Sequence, residues 1–384
     1  FAFYIAYFIM AIPSSMLLKK VGFKTGIMVG FIIMAIGMYI FVPAAMVREF
    51  GLFLTGLFLI GTGLAILQTA ANPFVTIIGP IESAARRISV VGICNKVAGI
   101  ISPLVFAAVI LNPGDSEMFK LIESGTLDEI SKNLILDDLI RRVIVPYAIL
   151  GTALLIFGIF IKFSSLPEID TEESNAESEG DSSENRKSVF SYPYLVLGAL
   201  AIFFHVGSQV VAIVINYAGS MGVDMLEAKV FPSYTLACTM IGYIIGIFLI
   251  PKVISQRTAL VICSTLGLVL SLLAVLVDVP VVFFGHHINL SLLFLCALGF
   301  PNALIYASIW PLSIHNLGKF TKIGSSLLVM GLCGNAIMPQ IYGFIAQRTS
   351  FRGGYWILIP CFLYLIFFAL KGYKINYWHK KSSI

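Results

Sequence analysis

Long uncharged apolar runs dominate this chain and leave it few ways to fold. Eleven of them lie approximately at 1–18, 25–47, 50–78, 88–111, 143–163, 191–217, 230–251, 258–277, 289–314, 323–346 and 353–371. A bilayer crossing needs about 20 such residues. Each run reads as a helix, because in lipid an isolated segment satisfies its backbone only by helical hydrogen bonds. The fold class expected is therefore an all-α polytopic membrane protein. Only 12% of residues are charged, against about a quarter in soluble domains, which excludes a soluble enzyme and a disordered chain. The six cysteines lie singly in apolar stretches with no CxxC or Cys/His spacing. No disulfide, metal site or cofactor is expected.

The runs divide five and six around residues 164–190, an acidic stretch poor in apolar residues that reads as a linker. An internal repeat relates the two sides. Lys19 and Arg257, in basic turns leaving corresponding runs, are 238 residues apart, and so are Pro73 and Pro311. GICNKVAGIISP begins at Gly92 and GLCGNAIMP at Gly331, 239 residues on. One shared offset implies two six-helix halves, a common plan in transporters. The run at 191–217 has no counterpart in the first half, so a first helix is expected before Phe1 and the visible spans of that half count as 2–6. A chain lacking it is expected to transport nothing by itself. The expected units are a bundle at 1–163, a cytoplasmic linker at 164–190, a second bundle at 191–371 (spans 7–12) and a basic cytoplasmic tail at 372–384.

Placing the turn at Lys19–Lys24 inside puts sixteen Lys and Arg residues on the cytoplasmic side and eight outside, as the positive-inside rule requires. The net charge of +5 then reflects sorting across a bilayer and calls for no nucleic-acid partner. The Asp and Glu residues fall in loops or at span ends, and no paired-carboxylate or Ser/His/Asp arrangement lies inside a span. This argues against a membrane enzyme.

The spans do carry neutral polar stripes. Gln68 and Asn72 share a helix face, and Asn95 and Lys96 sit a third of the way along their run. His205, Gln209 and Asn216 form one stripe, and Thr235, Thr239, Gly242, Tyr243 and Gly246 another. Asn302, Tyr306 and Trp310 recur at four-residue spacing before Pro311, and Asn335 precedes Pro339. Any one such residue is accounted for by helix-to-helix hydrogen bonding. Six helices with amide-rich faces point instead to a shared polar cavity. Amides that donate and accept, beside aromatic faces, suit an uncharged hydroxyl-rich ring, which can stack on Tyr306 or Trp310. The candidate substrate residues are Gln68, Asn72, Asn95, Gln209, Asn302, Tyr306, Trp310 and Asn335. Lys96 is the one mid-span charge. An ammonium there costs about 3 kcal/mol if unpaired, so it either pairs or snorkels toward the cytoplasmic face.

Three stretches resemble a known family. LQTAANPFVTIIGPIESAARR (Leu67–Arg87), IGYIIG (Ile241–Gly246) and ASIWPLSIHNLGKFTKIGSSLLVMGLCGNAIMPQIYG (Ala307–Gly343) are similar to the signatures of the fucose:proton symporter family of the major facilitator superfamily. The pattern is most like that of its bacterial glucose/galactose transporters, in a Bacteroidota-like branch. The resemblance implies twelve helices in two bundles and hexose symport by alternating access, with glucose or galactose favoured over L-fucose or another sugar. It implies a monomer in the bacterial inner membrane, with a monosaccharide and the lipid bilayer as partners. Protons are the implied driving ion, with sodium as the alternative. A non-transporting sugar sensor is the rival reading. The chain departs from the family at three places. The fucose permease has a membrane glutamate where this chain has Gln68, and members often carry a glutamine at Gly92 and an arginine at Tyr243. The family also places an aspartate on its first helix, which is the implied partner of Lys96 where the ammonium pairs and does not snorkel.

Overall fold

The computed structural model describes residues 2–110, 128–165, 188–209, 214–223, 228, 230–283 and 285–378. Most of the acidic linker and the end of the basic tail lie outside the described residues. Eight helical stretches are long and apolar enough to cross a membrane, and a shorter apolar helix, Pro193–Gly207, accompanies them.

The first half consists of α1 (Ala2–Val47), α2 (Phe50–Ile77), α3 (Ala84–Ile110) and α4 (Glu129–Phe163). α1 holds two of the expected runs. The chain breaks helical geometry at Gly22, with φ 78° and ψ 175°, a conformation L side chains rarely adopt. This break falls within the basic turn read from the sequence. α4 starts 14 residues before its apolar run, where a connection was expected. Its added turns carry an Asp138–Arg142 ion pair at i,i+4, which supports an exposed helix, and Asp137 pairs with Arg48 at the end of α1.

The second half consists of α5 (Pro193–Gly207), α6 (Val214–Gly219), α7 (Val230–Leu249), α8 (Gln256–Leu276), α9 (Leu290–Ala297), α10 (Gly299–Ile314), α11 (Thr321–Met330), α12 (Gly334–Arg348), α13 (Phe351–Gly354) and α14 (Leu358–Leu370). Within the run read as one span at 191–217, α5 ends at Gly207, a 3₁₀ turn follows at 208–209 and α6 begins at Val214, with 210–213 outside the described residues. A two-stranded antiparallel hairpin, β1 (Pro280–Phe283) and β2 (His286–Asn289), replaces the loop expected before α9. Asp278 at its base pairs with Arg352 at 2.9 Å and accepts from Asn289 Nδ2 at 2.5 Å. The start of the basic tail is docked: Tyr194 N donates to Ile375 O at 3.1 Å, and Trp378 Nε1 donates to Phe190 O at 2.8 Å.

The repeat appears in the packing. α3 of the first half lies against α7 and α10 of the second, while α11 lies against α1 and α2. α3 also packs against α2 and α4 of its own half, and α11 against α5, so both helices bridge the halves. The halves also join at the end carrying the basic turns. Ala85 N donates to Gln256 Oε1 at 2.9 Å, Gln256 Nε2 donates to Ile81 O at 2.7 Å, and the Lys322 ammonium lies 5.2 Å over the Phe23 ring. Arg87 supports this end. Its guanidinium donates to the carbonyls of Val75 (2.8 Å), Thr76 (2.7 Å), Gly79 (3.1 Å) and Pro80 (3.1 Å) and to Ser83 Oγ (2.6 Å). It thereby satisfies carbonyls that the end of α2 leaves open.

Candidate functional site

A polar cavity of about 430 Å³ lies between the halves. α2 carries Gln68 and Asn72 to its wall because residues four apart stack on one helix face. Both amides are held by phenols. Gln68 Nε2 donates to Tyr7 Oη at 3.2 Å, and Asn72 Nδ2 donates to Tyr306 Oη at 3.2 Å. The second bond crosses from one half to the other. Asn95 and Lys96 reach the cavity from α3, Gln209 follows α5, and Asn335 comes from the first turn of α12. Lys96 is half-buried and is the one charged residue among the described residues that line the cavity. Among the described residues it has no carboxylate partner, and no group of three or more His, Cys, Asp or Glu side chains is placed to hold a metal ion.

The structure thus brings seven of the nine residues singled out from the sequence to one cavity: Gln68, Asn72, Asn95, Lys96, Gln209, Tyr306 and Asn335. The other two lie elsewhere. Asn302 lines a neighbouring cavity of about 100 Å³ with Thr235, Thr239 and Gly299, which shares Lys96, Gln209 and Tyr243 with the larger one. Trp310 is fully buried and stands behind Tyr306, edge to face at 6.1 Å. It props the phenol and offers no open face for a ring to stack on.

Three contributors escaped the sequence reading as site residues. Tyr7 supports Gln68, and Phe3, Tyr4 and Tyr7 together make an aromatic patch at i, i+1 and i+4 on the wall. His205 also belongs to the wall; its four-residue spacing from Gln209 was the available signal. Tyr243 divides the two cavities, and its ring lies against Gly92. A Cβ at residue 92 would stand 2.5 to 2.9 Å from three atoms of that ring. The two departures from the family pattern are therefore one contact. The absence of a side chain at 92 makes the room that the phenol at 243 fills.

A search for relatives agrees with this architecture. The family model described as "Major Facilitator Superfamily" matches residues 1–334. A glucose/galactose transporter of Brucella abortus is 31% identical over 379 residues, covering 97% of this chain and 84% of the relative. The L-fucose-proton symporter of Escherichia coli is 30% identical over 353 residues, covering 91% and 78%. The crystal structure of FucP in the outward conformation superposes with a TM-score of 0.79 at 27% identity, covering 96% of this chain and 87% of that one. The proton:xylose symporter XylE, at 13% identity and a TM-score of 0.66, shares the fold. Matched over most of its length by the family model, this multi-span membrane protein belongs to the Major Facilitator Superfamily.

Proposed function

We propose that the chain imports a neutral hexose, glucose or galactose in preference to L-fucose, by symport with protons across the bacterial inner membrane, acting as a monomer. The observation that carries this reading is the cavity between the halves, walled by amides and phenols with a single ammonium. Such a wall gives each hydroxyl of a sugar a donor or acceptor, while its rings meet the weakly apolar C–H face. A pyranose ring with its hydroxyls fits within about 430 Å³. Relatives named as glucose/galactose transporters and as an L-fucose-proton symporter support the substrate class and the driving ion. The halves joined through Gln256 at the basic end support an alternating-access cycle in which that contact forms and breaks. Membership of a transporter family supports transport as the function.

Counterflow of labelled glucose, galactose and fucose in proteoliposomes, with the full-length protein, tests the proposal. Exchange of one hexose supports it, and no exchange of any hexose defeats it. Gln68→Ala removes one hydroxyl partner and leaves Tyr7 without its amide. It should raise the apparent KM about tenfold with little change in the maximal rate. An unchanged KM removes Gln68 from the site. Lys96 is proposed to serve coupling by exchanging an acidic partner during the cycle. Lys96→Met should abolish uphill accumulation driven by a proton gradient while counterflow persists. Normal accumulation by this variant defeats the coupling role.

A further inference from the structure

His205 is the least explained polar group of the cavity wall. It is fully buried, and among the described residues neither Nδ1 nor Nε2 has a hydrogen-bond partner. Buried polar atoms are nearly always paired, so an imidazole with both nitrogens open is an exception that calls for a reason.

A structural role does not supply one. His205 sits in the last turn of α5, where a helix end needs partners for its carbonyls. That need is met without the ring. Ser208 Oγ donates to His205 O at 2.6 Å, and the Ser208 backbone N–H closes onto the carbonyls of the same turn. Filling space does not require the nitrogens either, since leucine or phenylalanine packs without leaving a polar atom unpaired.

The position does supply a reason. His205 lines the cavity between the halves, on the same wall as Gln68, Asn72 and Asn95, where polar side chains meet a substrate. Gln209, four residues on, lines the same cavity. The Tyr306 ring lies beside the imidazole, tilted 37° at 6.1 Å. Tyr306 in turn is tied to Asn72, so amide, phenol and imidazole line the same cavity.

We propose that His205 is a substrate-binding residue whose neutral imidazole, with one donor and one acceptor, takes a single hydroxyl of the sugar ring. This rests on the hexose reading above and sharpens it to one side chain and one hydroxyl. The test is equilibrium binding of labelled D-galactose to the full-length protein in detergent, competed by D-glucose, L-fucose and the 2-, 3-, 4- and 6-deoxy galactoses. His205→Leu should bind galactose about tenfold more weakly than wild type. One monodeoxy sugar should bind wild type about tenfold more weakly than galactose, yet bind His205→Leu as well as galactose does. That non-additivity at one hydroxyl is something a packing role does not produce. An unchanged affinity in His205→Leu overturns the inference. So does an equal loss for galactose and all four deoxy sugars. If His205→Leu fails to fold, His205→Phe, which likewise has no hydrogen-bonding atom, carries the same comparison. Wild type is measured first, so its failure to bind any hexose would overturn the hexose reading, and this inference with it, separately from any result on the variants.

Discussion

Replacing Gly92 with valine is expected to cut hexose exchange about tenfold or more, the effect of an overpacking cost of about 1–3 kcal/mol, while the protein still reaches the membrane. A new Cβ would stand 2.5 Å from Tyr243 Cζ and 2.8 and 2.9 Å from the two Cε atoms. The phenol is itself buried, at 7% exposure, so it has nowhere cheap to go. Either it is driven into the small cavity against Thr239 and Asn302, or α3 moves away from α7. Both deform the wall that Gly92 and Tyr243 share. The double variant Gly92→Val/Tyr243→Ala restores the space and should recover a large part of the exchange, giving a strongly non-additive pair. Additive losses in counterflow would mean that the two residues act separately and that the contact is incidental.

The largest effect on stability is expected at Gly299. Here a Cβ would meet the backbone carbonyl oxygen of Thr235 at 2.0 Å and Thr239 Oγ1 at 2.8 Å. Gly242, facing the other way, would place its Cβ 2.5 Å from the Phe300 carbonyl oxygen. α7 and α10 thus touch backbone to backbone, and such close approach is a main source of helix association in lipid. A flexible side chain can yield to an added methyl group, but a carbonyl fixed in a helix cannot without moving the helix. Gly299→Ala should therefore lower the melting temperature in detergent by about 5 °C or more. Gly343→Ala is the control, because nothing lies within 4 Å of a Cβ there. Equal melting temperatures for the two variants would show that α7 and α10 separate freely.

Much of this architecture was legible in the sequence because lipid enforces simple rules. Uninterrupted apolar runs locate helices, and prolines at one offset locate the two halves. The amides at Gln68, Asn72, Gln209 and Asn335 stand out because a bilayer makes polar residues conspicuous. What the sequence left hidden depends on how helices rotate and pass one another. Asn302, Tyr306 and Trp310 recur at helical spacing, yet one faces the small cavity, one the large cavity and one packed protein. Face periodicity does not say which neighbour a face meets at each depth. The early start of α4 was hidden because its added turns hold through ion pairs, which hydropathy counts against a helix.

The contacts that α3 and α11 make across the halves have a mechanical consequence. Two bodies that rock against one another turn about a region where they stay in contact, and displacement grows with distance from that axis. The Asn72–Tyr306 bond and the Gly92–Tyr243 contact lie on the cavity wall between the halves, whereas the Gln256 bridge lies at the basic end. Contacts near the axis can persist through the whole swing with small adjustments, and contacts at the rim must break once in every cycle. Damage near the axis therefore slows travel in both directions alike, while damage at the rim tilts the resting balance toward one side.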